Sequence, residues 1–116
     1  MSKPGLAQGQ VWWVNFPSPV GRRPALVLTR TPVLRHLVNI TVAPITRTAR
    51  GIPAEVPLTP AAGGVATASV VSLEGILTVP QALLDRRIST LSTTRTGEVF
   101  KAIRFVFAMP PGPVSP

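Results

Sequence analysis

Short runs of Val, Ile, Leu, Trp and Thr, each interrupted by proline or glycine, occupy the chain from Gln10 to Leu91, and a single run of helical period follows them. Proline cannot donate to a sheet ladder, so the segments between prolines are the strand candidates. Gln10 to Phe16, Pro24 to Thr31 and Val38 to Arg47 predict three strands, and Ala54 to Leu58 a short edge strand. Ser69 to Leu73 and Ile76 to Val79 are two further apolar runs, and Arg86 to Leu91 is the last strand candidate. Gln81 to Asp85, directly after Pro80, suits one helical turn. Ser92 then offers a helix N-cap, and Val99, Phe100, Ile103, Val106 and Phe107 recur at helical spacing, which predicts a C-terminal helix with one wide apolar face.

Strands followed by one terminal helix predict a mainly β fold, a small and partly open antiparallel barrel closed by that helix. A chain of 116 residues suits one domain. Its expected bounds are residues 9–109, with 1–8 as an N-terminal extension and 110–116 as a Pro-rich flexible tail, because Pro110-Pro111-Gly112-Pro113 cannot continue a helix. Trp12, Trp13, Val14 and Phe16 place apolar groups on both faces of the first strand. That surplus suits a dimer interface, or a central strand whose two faces are both internal.

Charge narrows the choice of partner. Twelve Lys and Arg, chiefly Arg, stand against four Asp and Glu, a formal charge of +8. The planar guanidinium matches phosphate oxygens and stacks on bases, so RNA, DNA or an acidic protein fits. A genome rich in G and C would explain the preference for Arg over Lys, but not the shortage of acids. The absence of cysteine excludes disulfides, thiolate metal sites and a cysteine nucleophile. No apolar run reaches the roughly 18 residues of a membrane span, so no membrane partner and a cytoplasmic location are expected. Glu55, Glu74, Asp85 and Glu98 are too scattered for a metal site, and His36, the one histidine, excludes a two-histidine acid–base pair within one chain. No cofactor is implied.

Four segments in order resemble the MazF/PemK toxin family: Gly9-Gln10-Val11-Trp12-Trp13-Val14; Gly21-Arg22-Arg23-Pro24-Ala25-Leu26-Val27-Leu28; Asn39 to Thr46 with Arg50-Gly51 and Glu55-Val56-Pro57 beyond; and Ser69-Val70-Val71-Ser72 with Arg87 to Ser92. The resemblance implies an SH3-like (CcdB/PemK-like) barrel, a homodimer, sequence-selective endoribonuclease activity on single-stranded RNA, and an acidic, MazE-like antitoxin as partner. It also implies that Arg23, before the Pro of the second segment, and Thr46, closing Ala-x-Ile-Thr, act on the scissile phosphate. The chemistry suits those residues, because RNA carries its own nucleophile in the 2′-hydroxyl. An enzyme then needs only to align it, move protons and stabilise charge on phosphorus.

Arg22, Arg30, Arg35, Arg47, Arg50 and Ser69 are the candidate RNA contacts. If the loops around the second and third strands share one rim with Arg23, these arginines form a basic groove; otherwise they are a scattered solvated surface. His36 reads as a loop histidine beside Arg35, outside the catalytic set. Two departures from the family bear on RNA specificity: the short first loop Pro17-Ser18-Pro19-Val20-Gly21, and Ser72-Leu73-Glu74-Gly75 where relatives often carry Asn-x-Asp-Gln. Two rivals are a CcdB-type toxin that binds DNA gyrase without catalysis and an RNA-binding relative that has lost cleavage. Against the first, this chain has no tryptophan near the helix end, where such toxins carry one, and against the second stands the presence of both Arg23 and Thr46.

Overall fold

β-Branched and aromatic residues build three long strands, β1 (Gln10–Asn15), β2 (Arg22–Val27) and β3 (Asn39–Thr46), in a computed structural model that describes residues 3–110. They pair antiparallel in sequence order, with Trp13 opposite Pro24 and Ala25 opposite Pro44. Four more strands extend the sheet, the short β4 (Glu55–Leu58), β5 (Ser69–Ser72) and β6 (Leu77–Pro80) and the longer β7 (Leu84–Thr90). The order is β4-β5-β3-β2-β1-β7, with β6 also on β3.

β3 shares one edge between two partners, Asn39–Val42 with β6 and Ile45–Thr46 with β5. Pro44 falls at that changeover, where the edge has no ladder bond to lose. The end strands β4 and β7 are not paired to each other among the described residues, so the barrel stays open.

Both faces of β1, β2 and β3 are buried within one chain. Val11, Leu26, Ala43 and Ile45 face a core completed by Val71, Leu73 and the helix residues Val99 and Ala102. Trp12, Val14, Ala25, Val27 and Val42 face a second core with Leu6, Leu34 and Leu84. Alternation along each strand thus feeds two cores. The surplus of apolar groups on β1 is accordingly internal, and of the four residues noted there only Trp13 stays partly open.

The terminal helix α3 (Thr93–Val106) starts where expected, with the Ser92 hydroxyl accepting from the Arg95 N–H. Its apolar face is narrower than its sequence suggests. Phe107, the C-cap residue, is 59% exposed, and Ala102 takes an inward place instead. Two four-residue helices, α1 (Thr31–Leu34) and α2 (Pro60–Gly63), stand where loops were expected, each with Pro at its start. The second strand therefore stops at Val27 rather than Thr31.

Residues 3–8 are packed against the fold. Leu6 joins the second core, the Gln8 amide donates to the Leu28 carbonyl, and the Lys3 N–H donates to the buried Gln81. The Pro-rich tail expected over 110–116 lies, beyond Pro110, outside the described residues.

Candidate functional site

Antiparallel pairing of β2 with β3 sets the start of β2 beside the end of β3. Their ladder runs from Val27–Val42 to Ala25–Pro44, and Arg23 and Thr46 lie two residues beyond its last pair, one on each strand. Both line a cleft of about 630 Å³ with Trp13, Arg22, Arg47 and Ser69.

The other wall is the turn after α2. Gly64 caps that helix in the left-handed region at φ +66°, and a Cβ there would lie 2.9 Å from the Ser89 Cβ. Only glycine combines that backbone with that approach. The Ser89 hydroxyl also donates to the Gly63 carbonyl, which ties the turn to β7. Val65, Ala66 and Thr67 are thereby presented to the cleft. Sequence reasoning missed this wall, and its one signal was the Gly63-Gly64 pair between two strands.

Hydroxyl geometry favours Thr46 as a donor. Its Oγ1 accepts from the Thr48 N–H at 3.2 Å, so its own hydrogen remains available to a ligand in the cleft. Ser69 differs, because its hydroxyl already donates to the Thr67 carbonyl at 3.0 Å. An oxygen lone pair is what Ser69 can still offer.

Electrostatics separates the arginines. Every one of the four carboxylates in the chain is paired with an arginine other than Arg23 or Arg47: Asp85 with Arg22, Glu55 and Glu74 with Arg50, Glu98 with Arg95. Among the described residues, Arg23 and Arg47 are thus the two cleft cations with no acidic partner. Arg22 is bonded to Asp85 at 2.7 Å and stacked on Trp13, its guanidinium carbon 4.5 Å from the ring centroid.

The one-rim expectation needs correction. Arg30 precedes α1 and Arg35 follows it, in the link from β2 to β3. That link is at the far end of the hairpin from Arg23 and Thr46, about 20 Å away for six residues of strand. Arg35 lines a separate cleft of about 330 Å³ with Lys3, His36 and Gln81, where its Nε donates to the His36 Nε2 at 3.1 Å. Arg50 is also outside the main cleft, held by Glu55. Among the described residues no three His, Asp or Glu side chains converge as a metal site would require.

Glu55 organises the segment between Arg47 and β4. Its Oε1 accepts from the N–H groups of Arg50 (2.8 Å) and Gly51 (3.1 Å), and its Oε2 from the Arg50 Nε (3.3 Å). The Arg50 backbone bond foremost, then its side-chain bond, hold the Glu55 pKa below the ordinary 4.5, against the opposing effect of burial. A lowered folded pKa contributes stability that is present above the unfolded value and lost as pH falls through the folded one. Thermal melting should therefore drop as pH falls below about 4.5, and Glu55→Gln should flatten that acid limb. An equally steep limb in the variant would assign the effect to other carboxylates.

Comparison with known proteins places these features among relatives. Residues 7–107 match the family model described as PemK-like, MazF-like toxin of type II toxin-antitoxin system. Endoribonuclease MazF3 of Mycobacterium tuberculosis is 44% identical over 85 residues, covering 73% of this chain and 82% of that protein. The solved structure of M. tuberculosis toxin MazF-mt6 superposes with a TM-score of 0.80 at 37% identity, over 87% of this chain and 98% of that one. A MazE-MazF structure from Deinococcus radiodurans gives a TM-score of 0.76 at 25% identity, over 90% of this chain and 98% of that one. No helix among the described residues is long and apolar enough to cross a membrane.

Proposed function

The chain belongs to the family of PemK-like, MazF-like toxins of type II toxin-antitoxin systems, and from that premise we propose that it is an endoribonuclease that cleaves single-stranded RNA in the cytoplasm under control of a cognate antitoxin. The observation that carries the reading is one cleft lined by both an arginine free of acidic partners and a threonine with a hydrogen to give. The gyrase-binding and non-catalytic alternatives find no comparable support.

In this reading the 2′-oxygen of the nucleotide before the cut attacks phosphorus, and the P–O5′ bond breaks. The 2′-hydroxyl proton leaves and the 5′-oxygen gains one, giving a 2′,3′-cyclic phosphate and a 5′-hydroxyl. Arg23 meets two non-bridging oxygens with its planar fork, and Thr46 donates to a phosphate oxygen as charge builds there. Arg47 neutralises the neighbouring backbone charge, and Ser69 accepts from a base or sugar. No step calls for a metal.

The antitoxin reading rests on the MazE-MazF relative and on the charge of +8, which an acidic segment would complement. A homodimer would cover the apolar end of α3, where Phe105 is 58% and Phe107 59% exposed.

Purified protein incubated in EDTA with a long defined RNA should produce discrete cuts at a recurring short sequence. Mapped ends should carry a 2′,3′-cyclic phosphate and a 5′-hydroxyl. Intact RNA, or cleavage that needs added magnesium, would overturn the reading.

A further inference from the structure

Trp13 and Asp85 have no part in the phosphate chemistry, yet they hold one side of the cleft in a defined arrangement. Trp13 lies opposite Pro24 in β2 and Arg86 in β7, so its backbone is fixed from both sides. Arg22 stacks on its ring, and Asp85 grips the outer end of that guanidinium at 2.7 Å. The side chain so held is still 47% exposed and borders the cleft that contains Arg23 and Thr46.

A guanidinium already bound to a carboxylate is a poor phosphate ligand, because the carboxylate competes for the same fork. The face turned away from Trp13 has no such competitor. Planes of this kind, aromatic or guanidinium, are what single-stranded nucleic acid uses to stack its bases. Arg23 and Arg47, free of acids, supply the phosphate contacts instead.

We propose that Trp13, Arg22 and Asp85 form a nucleobase-stacking subsite beside the scissile phosphate, with Asp85 as the positioning residue that keeps Arg22 flat on Trp13. The ligand class is the base of a nucleotide adjoining the cut. This inference rests on the RNA reading of the cleft and adds to it a source of sequence selectivity.

Asp85 makes the idea testable through the sign of an effect. Removing a negative charge beside an RNA site should by electrostatics alone tighten RNA binding. If Asp85 positions the platform, Asp85→Asn weakens binding despite the gain in net positive charge. The probe is a short RNA oligonucleotide spanning the mapped cut, compared with copies made abasic at one nucleotide at a time. Asp85→Asn should raise KM about fivefold with kcat nearly unchanged, the scale of one lost stacking contact. Arg22→Lys, which keeps the charge and loses the plane, should do the same.

One abasic position should weaken binding to the unsubstituted protein by a similar factor, and that loss should vanish in Arg22→Lys. A lower KM for Asp85→Asn would overturn the proposal, as would the same abasic penalties in both proteins. Arg23→Ala run alongside separates the two readings: full cleavage by that variant removes the RNA reading of the cleft itself, whereas loss of cleavage with unaltered abasic penalties removes only the stacking subsite.

Discussion

Arg23→Ala is expected to lower kcat for RNA cleavage by roughly 100-fold to 1000-fold, the usual scale for removing one preorganised donor from a developing oxyanion. Folding should be unaffected, since Arg23 is exposed and none of the four carboxylates of the chain is paired with it. Thr46→Val, which keeps the β-branched shape within β3 and removes only the hydroxyl, is expected to reduce kcat by a smaller factor of about 10 to 100. If the two groups act on one phosphate, the double variant should lose less than the product of the single effects. Circular dichroism and thermal melting would confirm folded protein. Full activity in Arg23→Ala would remove the proposed mechanism.

That Arg23 and Thr46 share one cleft was legible because the arrangement is local. A motif fixes Arg23 two residues before Ala25 and Thr46 two residues after Pro44, the last pair of the β2–β3 ladder, and both residues line the cleft at that end. The same geometry could have warned against Arg30 and Arg35. A hairpin that joins the start of β2 to the end of β3 must send the β2–β3 link to the opposite end, whatever charge it carries.

The strands were legible from their alternation, with bounds within a residue or two for β1, β3 and β4. The four-residue helices α1 and α2 were not, because one turn is too short to establish a period. Their start signals were present, as Thr31-Pro32 and Thr59-Pro60, and the Thr59 hydroxyl does accept from the Ala62 N–H.

Phe107 was read as inward from spacing alone, but the helix ends before it and the sheet below is already filled by Val99 and Ala102. The cleft wall at Gly64 to Thr67 and the role of Asp85 depend on contacts between distant segments, which no spacing along the chain reports.

The N-terminal segment shows that dependence most strongly, and it carries the second large effect. Gln10 is one of two buried polar residues among those described, 4% exposed, and its side chain closes three bonds. Its Oε1 accepts from the Ala7 N–H at 3.0 Å and from the Trp12 Nε1–H at 2.9 Å, while its Nε2 donates to the Gly5 carbonyl at 2.8 Å. Gln10→Ala leaves all three partners without it, at about 1–3 kcal/mol for each group that stays dry. Water will reach the more exposed of them, so the net loss should be about 3 kcal/mol, enough to lower Tm by roughly 10 °C or more. Gln10→Glu gives a sharper comparison, because its carboxylate can still accept both bonds but cannot donate to Gly5. Gln10 does not line the cleft, which β1 borders at Trp13, so RNA cleavage measured well below the new Tm should persist in both variants. This is the reverse of Arg23→Ala, in which Tm holds and cleavage falls. A Gln10→Ala protein that melts within 2 °C of the parent, a margin set by how little about 0.5 kcal/mol would shift it, would show that residues 3–8 are held by the burial of Leu6 rather than by this network.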